Sequence, residues 1–232
     1  MAEDKFRIVE AIYPGMTQLD FTGPHTVFSR IPGSETIVAS EAGGEVTSDG
    51  GLVFARTRRL ADIDRCDLLF FPGGFAATEV INDAAFMAEA SRLAKTARYL
   101  TSVCTGSLVL AATGSIRGRR AACHWAWRDM LSLFGVTPDP ARVVRDGPVI
   151  TGGGVTAGID FAFTVAAELA GERFAQELQL GLEYAPAPPF QSGRPETAPP
   201  EVLAAVMTRM DAILPQRLAE AKAAAARLQP AV

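Results

Sequence analysis

Tyr99-Leu100-Thr101-Ser102-Val103-Cys104-Thr105-Gly106-Ser107-Leu108-Val109-Leu110-Ala111-Ala112 is the stretch on which the fold turns. Residues 99–103 read as a strand and Gly106 to Ala112 as a helix, with two residues between them. A strand that passes at once into a helix is half of a βαβ unit, and such units build parallel sheets. Upstream, Leu68-Leu69-Phe70-Phe71 is continuously apolar, as a strand buried on both faces should be, and it stops at Pro72-Gly73-Gly74. Phe6 to Ile12 gives a first strand, ended by Pro14-Gly15, and Thr36 to Ala39 a second. Segments around Val46 and Leu52-Val53-Phe54, separated by Asp49-Gly50-Gly51, predict an antiparallel excursion. Val143-Val144 and Val149-Ile150-Thr151 flank the hairpin turn Asp146-Gly147. Helices are predicted over Ala84 to Thr96, Val155 to Leu169 and Glu172 to Leu182. The class is α/β: an open, mostly parallel sheet with helices on both faces.

The rest of the chain sets bounds. At 232 residues it reads as a single domain, large enough to bury a core without disulfides or metals. Ala185 to Pro200 carries six of the 15 prolines and reads as an extended surface loop. Beyond it, Val202, Leu203, Val206, Met207, Met210, Ile213 and Leu214 fall at helical spacing, and Pro215 should end or kink that helix. The segment from about 200 to 228 is therefore a helical appendage that packs on the body or on a partner. The balance of 22 basic and 26 acidic residues gives a net charge of −4, with no electrostatic reason to bind nucleic acid or anionic membrane. No apolar run approaches the ~20 residues of a membrane helix, and no secretory signal is visible at Met1-Ala2-Glu3-Asp4-Lys5. Three dispersed cysteines and two histidines make neither a disulfide framework nor a spaced metal site, so the expected setting is the reducing cytoplasm.

Open parallel sheets bind ligands beyond the carboxyl ends of their strands, and four turns there invite chemistry. Cys104 lies between a buried strand and a helix, where a sharp turn can present its side chain and the helix N-terminus favours thiolate. The competing reading is a buried structural thiol. Asp20, between Leu19 and Phe21 on the loop after strand one, is expected to be partly buried ahead of a helix starting near Pro24. Beside a sulfur its carboxyl would hold a proton abnormally well; otherwise it is a solvated or capping residue. Gly73-Gly74 can bring backbone N–H groups close to a developing negative charge, or simply make a tight turn. Gly152-Gly153-Gly154-Val155-Thr156-Ala157 matches a dinucleotide pattern, but Glu172 falls in a helix where a ribose-binding acid at a strand end is required. Close backbone approach to the sulfur site around Val155 is the better reading, and no P-loop occurs. Cys66 precedes its strand, at the wrong end of the sheet. His124, flanked by Cys123 and Trp125, and His25, near a helix start, read as packed structural residues before bases.

Pro14-Gly15 through Asp20 to Gly23-Pro24, then Phe71-Pro72-Gly73-Gly74, Val103-Cys104-Thr105-Gly106, His124-Trp125 and Gly154-Val155-Thr156-Ala157-Gly158-Ile159-Asp160 resemble the ThiJ/PfpI superfamily, with five motifs in order. The resemblance implies a flavodoxin-like fold, a cysteine on a nucleophile elbow and a homodimer. Within the superfamily the chain looks most like the isonitrile hydratases, which add water to R–N≡C to give N-substituted formamides. That likeness implies Cys104 as nucleophile, Asp20 as the acid–base carboxyl and Thr105 as a hydroxyl needed for activity. Gly73, Gly74 and Val155 would hold the sulfur or the adduct, with an isonitrile as the small-molecule partner and no metal or organic cofactor. Thr105 stands where the protease-like branch has a histidine, and Asp20 serves where many members place a glutamate. A cysteine-dependent hydrolase or deglycase of the same superfamily is one alternative. Another is a ligand-sensing domain like the N-terminal domain of AraC-type regulators, though no helix-turn-helix module is expected in this chain.

Overall fold

The computed structural model describes residues 5–228. Its first half runs β1 (Phe6–Ala11), α1 (Gln18–Phe28), β2 (Ser34–Ser40), β3 (Gly44–Thr47), β4 (Val53–Arg59), β5 (Leu68–Phe71), α2 (Ala77–Val80), α3 (Ala84–Ala94), β6 (Tyr99–Val103) and α4 (Gly106–Ala112). The second half runs β7 (Arg120–Ala121), β8 (Thr137–Pro138), β9 (Val143–Asp146), β10 (Val149–Gly152), α5 (Ala157–Ala170), α6 (Glu172–Gly181), α7 (Pro200–Asp211) and α8 (Leu214–Arg227). Short 3-10 helices occupy Leu60–Asp62 and Arg128–Phe134.

The main sheet has eight strands in the order β3-β4-β2-β1-β5-β6-β10-β9. Pairing is parallel from β4 through β10, and only the edge strands β3 and β9 run antiparallel to their neighbours. The five central strands β2-β1-β5-β6-β10 follow the flavodoxin-like order. The chain leaves β1 toward one edge and returns at β5 to build toward the other. The crevice of such a sheet opens at that reversal, beyond the carboxyl ends of β1 and β5. β5 shows why the strand is continuously apolar. Phe70 stacks with Phe161 of α5 at 5.7 Å on one face, while Phe71 meets Phe86 of α3 at 6.3 Å on the other. All four residues of β5 are buried, and each such side chain contributes ~1.5–3 kcal/mol.

Two elements differ from expectation. α1 starts at Gln18, and Pro24 lies inside it. The start is set by Thr17, whose extended backbone donates its N–H to the Gly73 carbonyl at 2.9 Å and so fastens the helix to the turn after β5. Proline in the second turn removes one intrahelical donor, and the packing of α1 on β1 and α5 carries that loss.

The C-terminal segment is two helices. α7 ends at Asp211, and Pro215 occupies the first turn of α8, where its missing N–H costs nothing. α8 is the element laid on the body: Ala221, Ala224 and Ala225 are buried. Arg217 pairs with Glu79 and Glu220, and Glu220 accepts from Thr78 at 2.6 Å. α7, which carries the apolar stripe, has no buried residue, although Met210, Ile213 and Leu214 reach the core at its end.

Candidate active site

Cys104 occupies the turn between β6 and α4 with φ = 55°, a left-handed conformation that costs a non-glycine residue ~1–2 kcal/mol. Its N–H is shared by the carbonyls of Gly152 (3.1 Å) and Gly153 (2.7 Å), so the end of β10 holds the strained turn in place. The thiol is buried. Thr105 locks the same turn from the other side: its hydroxyl donates to the Gly74 carbonyl at 2.7 Å and accepts the Gly74 N–H at 2.8 Å. Gly74 has φ = 153°, open to glycine and hostile to other residues. Tyr13 adds a third tie, donating to the Pro72 carbonyl at 2.9 Å.

Gly73 is wedged between the two reactive side chains. A Cβ there would lie 2.6 Å from Asp20 Oδ2 and 2.7 Å from Cys104 Cβ, so only glycine lets them meet. Asp20 lies in the first turn of α1, fully buried. The Cys104 thiol and the Gly73 amide face its carboxyl, yet both Asp20 oxygens lack a fully formed hydrogen bond. Desolvation lifts Asp20 to about pKa 7, against the smaller pull of those two groups and with a push from Asp49. The helix N-terminus would favour the carboxylate by ~0.3–1 kcal/mol, too little to offset burial. Cys104 is itself pushed well above the ordinary thiol range, by burial first and then by Asp20 and Cys123. The expectation of a resting thiolate is therefore corrected. Burial outweighs the helix end, and thiol and carboxyl form one proton-sharing pair.

Backbone donors are also distributed differently from expectation. The Gly74 N–H is taken by Thr105 and that of Gly73 faces Asp20, so neither glycine amide is aimed at the sulfur. The amide that faces Cys104 Sγ belongs to Thr105. The N–H of Val155 has no hydrogen bond among the described residues and stands beside the thiol pocket, as the sequence suggested. That pocket has a volume of about 100 Å³ and is lined by Gly74, Phe75, Cys104, Thr105, His124, Trp127, Val155 and Met210. His124 was read as structural from its aromatic neighbours, and it does pack edge-on to Trp127 at 5.0 Å. It also walls the pocket. Burial lowers it to about pKa 4, so it is neutral. The Ala126 N–H points at its Nδ1 at 3.3 Å, which places the ring proton on Nε2. Met210 arrives from α7, more than a hundred residues beyond the cysteine, and no local pattern could have announced it. Cys66 lies apart, donating to the Leu93 carbonyl at 3.7 Å with its thiol raised to about 11. His25 binds buried Glu10 through Nδ1 at 2.6 Å.

The lock made by Thr105 carries a prediction. Thr105→Val keeps the shape, removes both bonds to Gly74 and leaves its buried N–H unpaired, while its carbonyl keeps the Ala77 N–H at 3.2 Å; the orphaned N–H costs ~1–3 kcal/mol. Amide exchange at Gly74 should rise, and any Cys104-dependent turnover should fall by ~10-fold or more. Unchanged exchange at Gly74 would show that the hydroxyl does not hold the turn.

The chain is 44% identical over 217 residues to the isonitrile hydratase of Pseudomonas putida, covering 94% of this chain and 95% of that one. The crystal structure of a ThiJ/PfpI family protein from Pseudomonas syringae superposes with a TM-score of 0.90 at 38% identity, over 95% of this chain and 90% of that one. The HTH-type transcriptional regulator CdhR of Pseudomonas aeruginosa is 31% identical over 145 residues, which are 61% of this chain and 42% of the regulator. Residues 7–168, from β1 almost to the end of α5, match the model of the DJ-1/PfpI family. Every part of the thiol site except Met210 falls inside that match, and the chain belongs to the DJ-1/PfpI family.

Proposed function

We propose that the protein hydrates isonitriles, R–N≡C + H2O → R–NH–CHO, with Cys104 as nucleophile and Asp20 as proton carrier. One observation carries the reading: a buried carboxyl without a full hydrogen bond faces a buried thiol under a small apolar pocket. An isonitrile carbon needs both a soft nucleophile and a proton at the same atom, and the pair holds one proton for this purpose. The Cys104 proton passes to Asp20 as sulfur attacks the terminal carbon. Asp20 then delivers that proton to the carbon, leaving the thioimidate S–CH=N–R. Asp20, again a carboxylate, takes a proton from water as its oxygen adds to the carbon, and gives that proton to nitrogen. Loss of the hydroxyl proton, through Asp20 to sulfur, breaks the C–S bond and releases the formamide. The amides of Thr105 and Val155 steady sulfur and adduct. The balance requires no metal or organic cofactor. Identity of 44% across nearly the whole length of an isonitrile hydratase supports the same reaction.

The test is product formation in oxygen-18 water. A simple alkyl or aryl isonitrile should give its N-substituted formamide with one label in the formyl oxygen. Failure of every isonitrile to react would sink the proposal. In that case the similarity to CdhR favours a second reading, in which the thiol pocket senses a ligand, and tight binding without turnover is its signature.

We also propose a homodimer. The first half of the α7 stripe is uncovered, with Val202 40% exposed, and a second copy would cover it. Sedimentation at micromolar concentration should give twice the 24.6 kDa of one chain, and a monomer there would refute the assignment. Among the described residues no helix is long and apolar enough to cross a membrane, and no disulfide joins the three cysteines. A reducing, cytoplasmic setting keeps the Cys104 thiol available.

A further inference from the structure

The thiol pocket, at about 100 Å³, is well below the ~300–1,000 Å³ of sites that enclose a drug-sized ligand. It holds an isocyano group and a few carbons. A second cavity of about 220 Å³ adjoins it, and His124 and Val155 line both. A longer substituent on a reagent held at Cys104 must extend beyond the thiol pocket, and along the His124 and Val155 side it meets the second cavity.

The two cavities differ in chemistry. The thiol pocket is walled by Phe75, Trp127 and Met210. The second cavity has three guanidinium groups in its lining, from Arg128, Arg142 and Arg194, against one carboxylate, Glu196. Arg142 is neutralised by its ion pair with Asp160. Arg128 and Arg194 have no ion pair or side-chain hydrogen bond among the described residues. Arg128 is half-buried beside Cys123, and Arg194 stands on the Pro-rich loop over the cavity. The N–H groups of Gly154, Val155 and Thr156 at the same wall are also without hydrogen bonds among the described residues. An apolar reacting pocket thus lies next to a cavity whose unpaired charges are two guanidinium groups against the single carboxylate of Glu196, an excess of one positive charge, with three free backbone N–H groups beside them. Two unpaired guanidinium groups favour a planar, bidentate anion.

We propose that the preferred substrate is an isonitrile whose substituent carries a carboxylate, with the isocyano carbon at Cys104 and the carboxylate held between Arg128 and Arg194. This inference rests on the hydratase reading for the isocyano end; the anion site stands on the second cavity alone. The neutral His124 ring forms the threshold between the halves and offers its Nε2 proton to whatever passes.

The experiment compares 4-isocyanobutanoate with its methyl ester, two isonitriles of the same chain length of which only the first carries a charge. The carboxylate should be hydrated with a kcat/KM at least ~10-fold above the ester, and the advantage should shrink with added salt. In Arg194→Glu the ratio of carboxylate to ester should invert, and in Arg128→Ala it should fall toward one. Arg173→Glu is the control for net charge, since Arg173 is surface-exposed and paired with Glu177; it should leave the ratio as in the native protein. Calorimetry with N-formyl-4-aminobutanoate reads the anion site without catalysis, and binding should weaken in Arg194→Glu. Equal kcat/KM for acid and ester, with no change of ratio in the arginine variants, overturns this inference and leaves the hydratase standing. If no isonitrile reacts, yet the N-formyl acid binds and Arg194→Glu abolishes its binding, the hydratase falls and the anion site stands.

Discussion

Cys104→Ser should lower isonitrile turnover by at least ~10³-fold while the protein remains folded. The loss is large because the alcohol is a far weaker nucleophile than sulfur and the step has no substitute group. The Asp20 carboxyl faces this thiol, and the Thr105 amide faces this sulfur. The fold should survive, because the strained turn is held by the Cys104 amide on Gly152 and Gly153 and by Thr105 on Gly74, none of which involves the sulfur. Cys66→Ala is the matched control. That thiol is equally buried but lies before β5, at the opposite end of the sheet, and its bond to the Leu93 carbonyl is long. It should keep most activity. Intact-mass measurement during turnover should find native protein heavier by one isonitrile, with the added mass on the peptide carrying Cys104 and missing in Cys104→Ser. Serine that turns over as well as cysteine, or an adduct mapped to another residue, would remove Cys104 from the mechanism.

How much of this was legible in the sequence depended on how local each signal is. The strands at 68–71 and 99–103 could be read because both sheet faces are buried there, so every residue is apolar or β-compatible. The elbow followed from having two residues between strand and helix. α1 was placed six residues late, because Pro24 looked like a helix start while the true start depends on the bond from Thr17 to Gly73, made across more than fifty residues. Within the helical appendage at about 200–228, the apolar stripe ends at Leu214, so nothing in the sequence marks α8 as the part that packs on the body. Its buried face consists of alanines, which register neither as core nor as a stripe until the helix is seen against the body. The glycines at 73 and 74 lie next to Cys104, but their amides face Asp20 and Thr105 and not the sulfur. Thr105 takes one of them, a pairing that spacing along the chain does not encode. His124 and Met210 are pocket walls for the same reason: tertiary packing brings them there, and their neighbours in sequence describe only how they pack.

Asp20→Asn should reduce turnover by at least ~10²-fold and, at the same time, make the protein more stable above neutral pH. The two effects have one cause. A carboxyl held at about 7 in the fold against an ordinary 3.8 keeps its proton while the unfolded chain loses it. Folding therefore bears no cost from Asp20 below pH 3.8, a growing cost between 3.8 and 7, and a constant one above, on the order of 4 kcal/mol. Asparagine has no proton to lose, so its advantage in melting temperature should be near zero at pH 4, rise through pH 6 and level off above pH 7. A carboxylate kept for structure would give the opposite sign, because its removal would leave partners unpaired. Catalysis follows the same proton. The active pair holds one proton, and below about pH 7 it takes up a second and loses the base that receives the thiol proton. The acid limb of kcat/KM should bend near pH 7 in the native enzyme and be absent from the residual activity of Asp20→Asn. An asparagine variant less stable than the native protein at pH 8, or one that retains the limb near pH 7, would show that another group carries the proton.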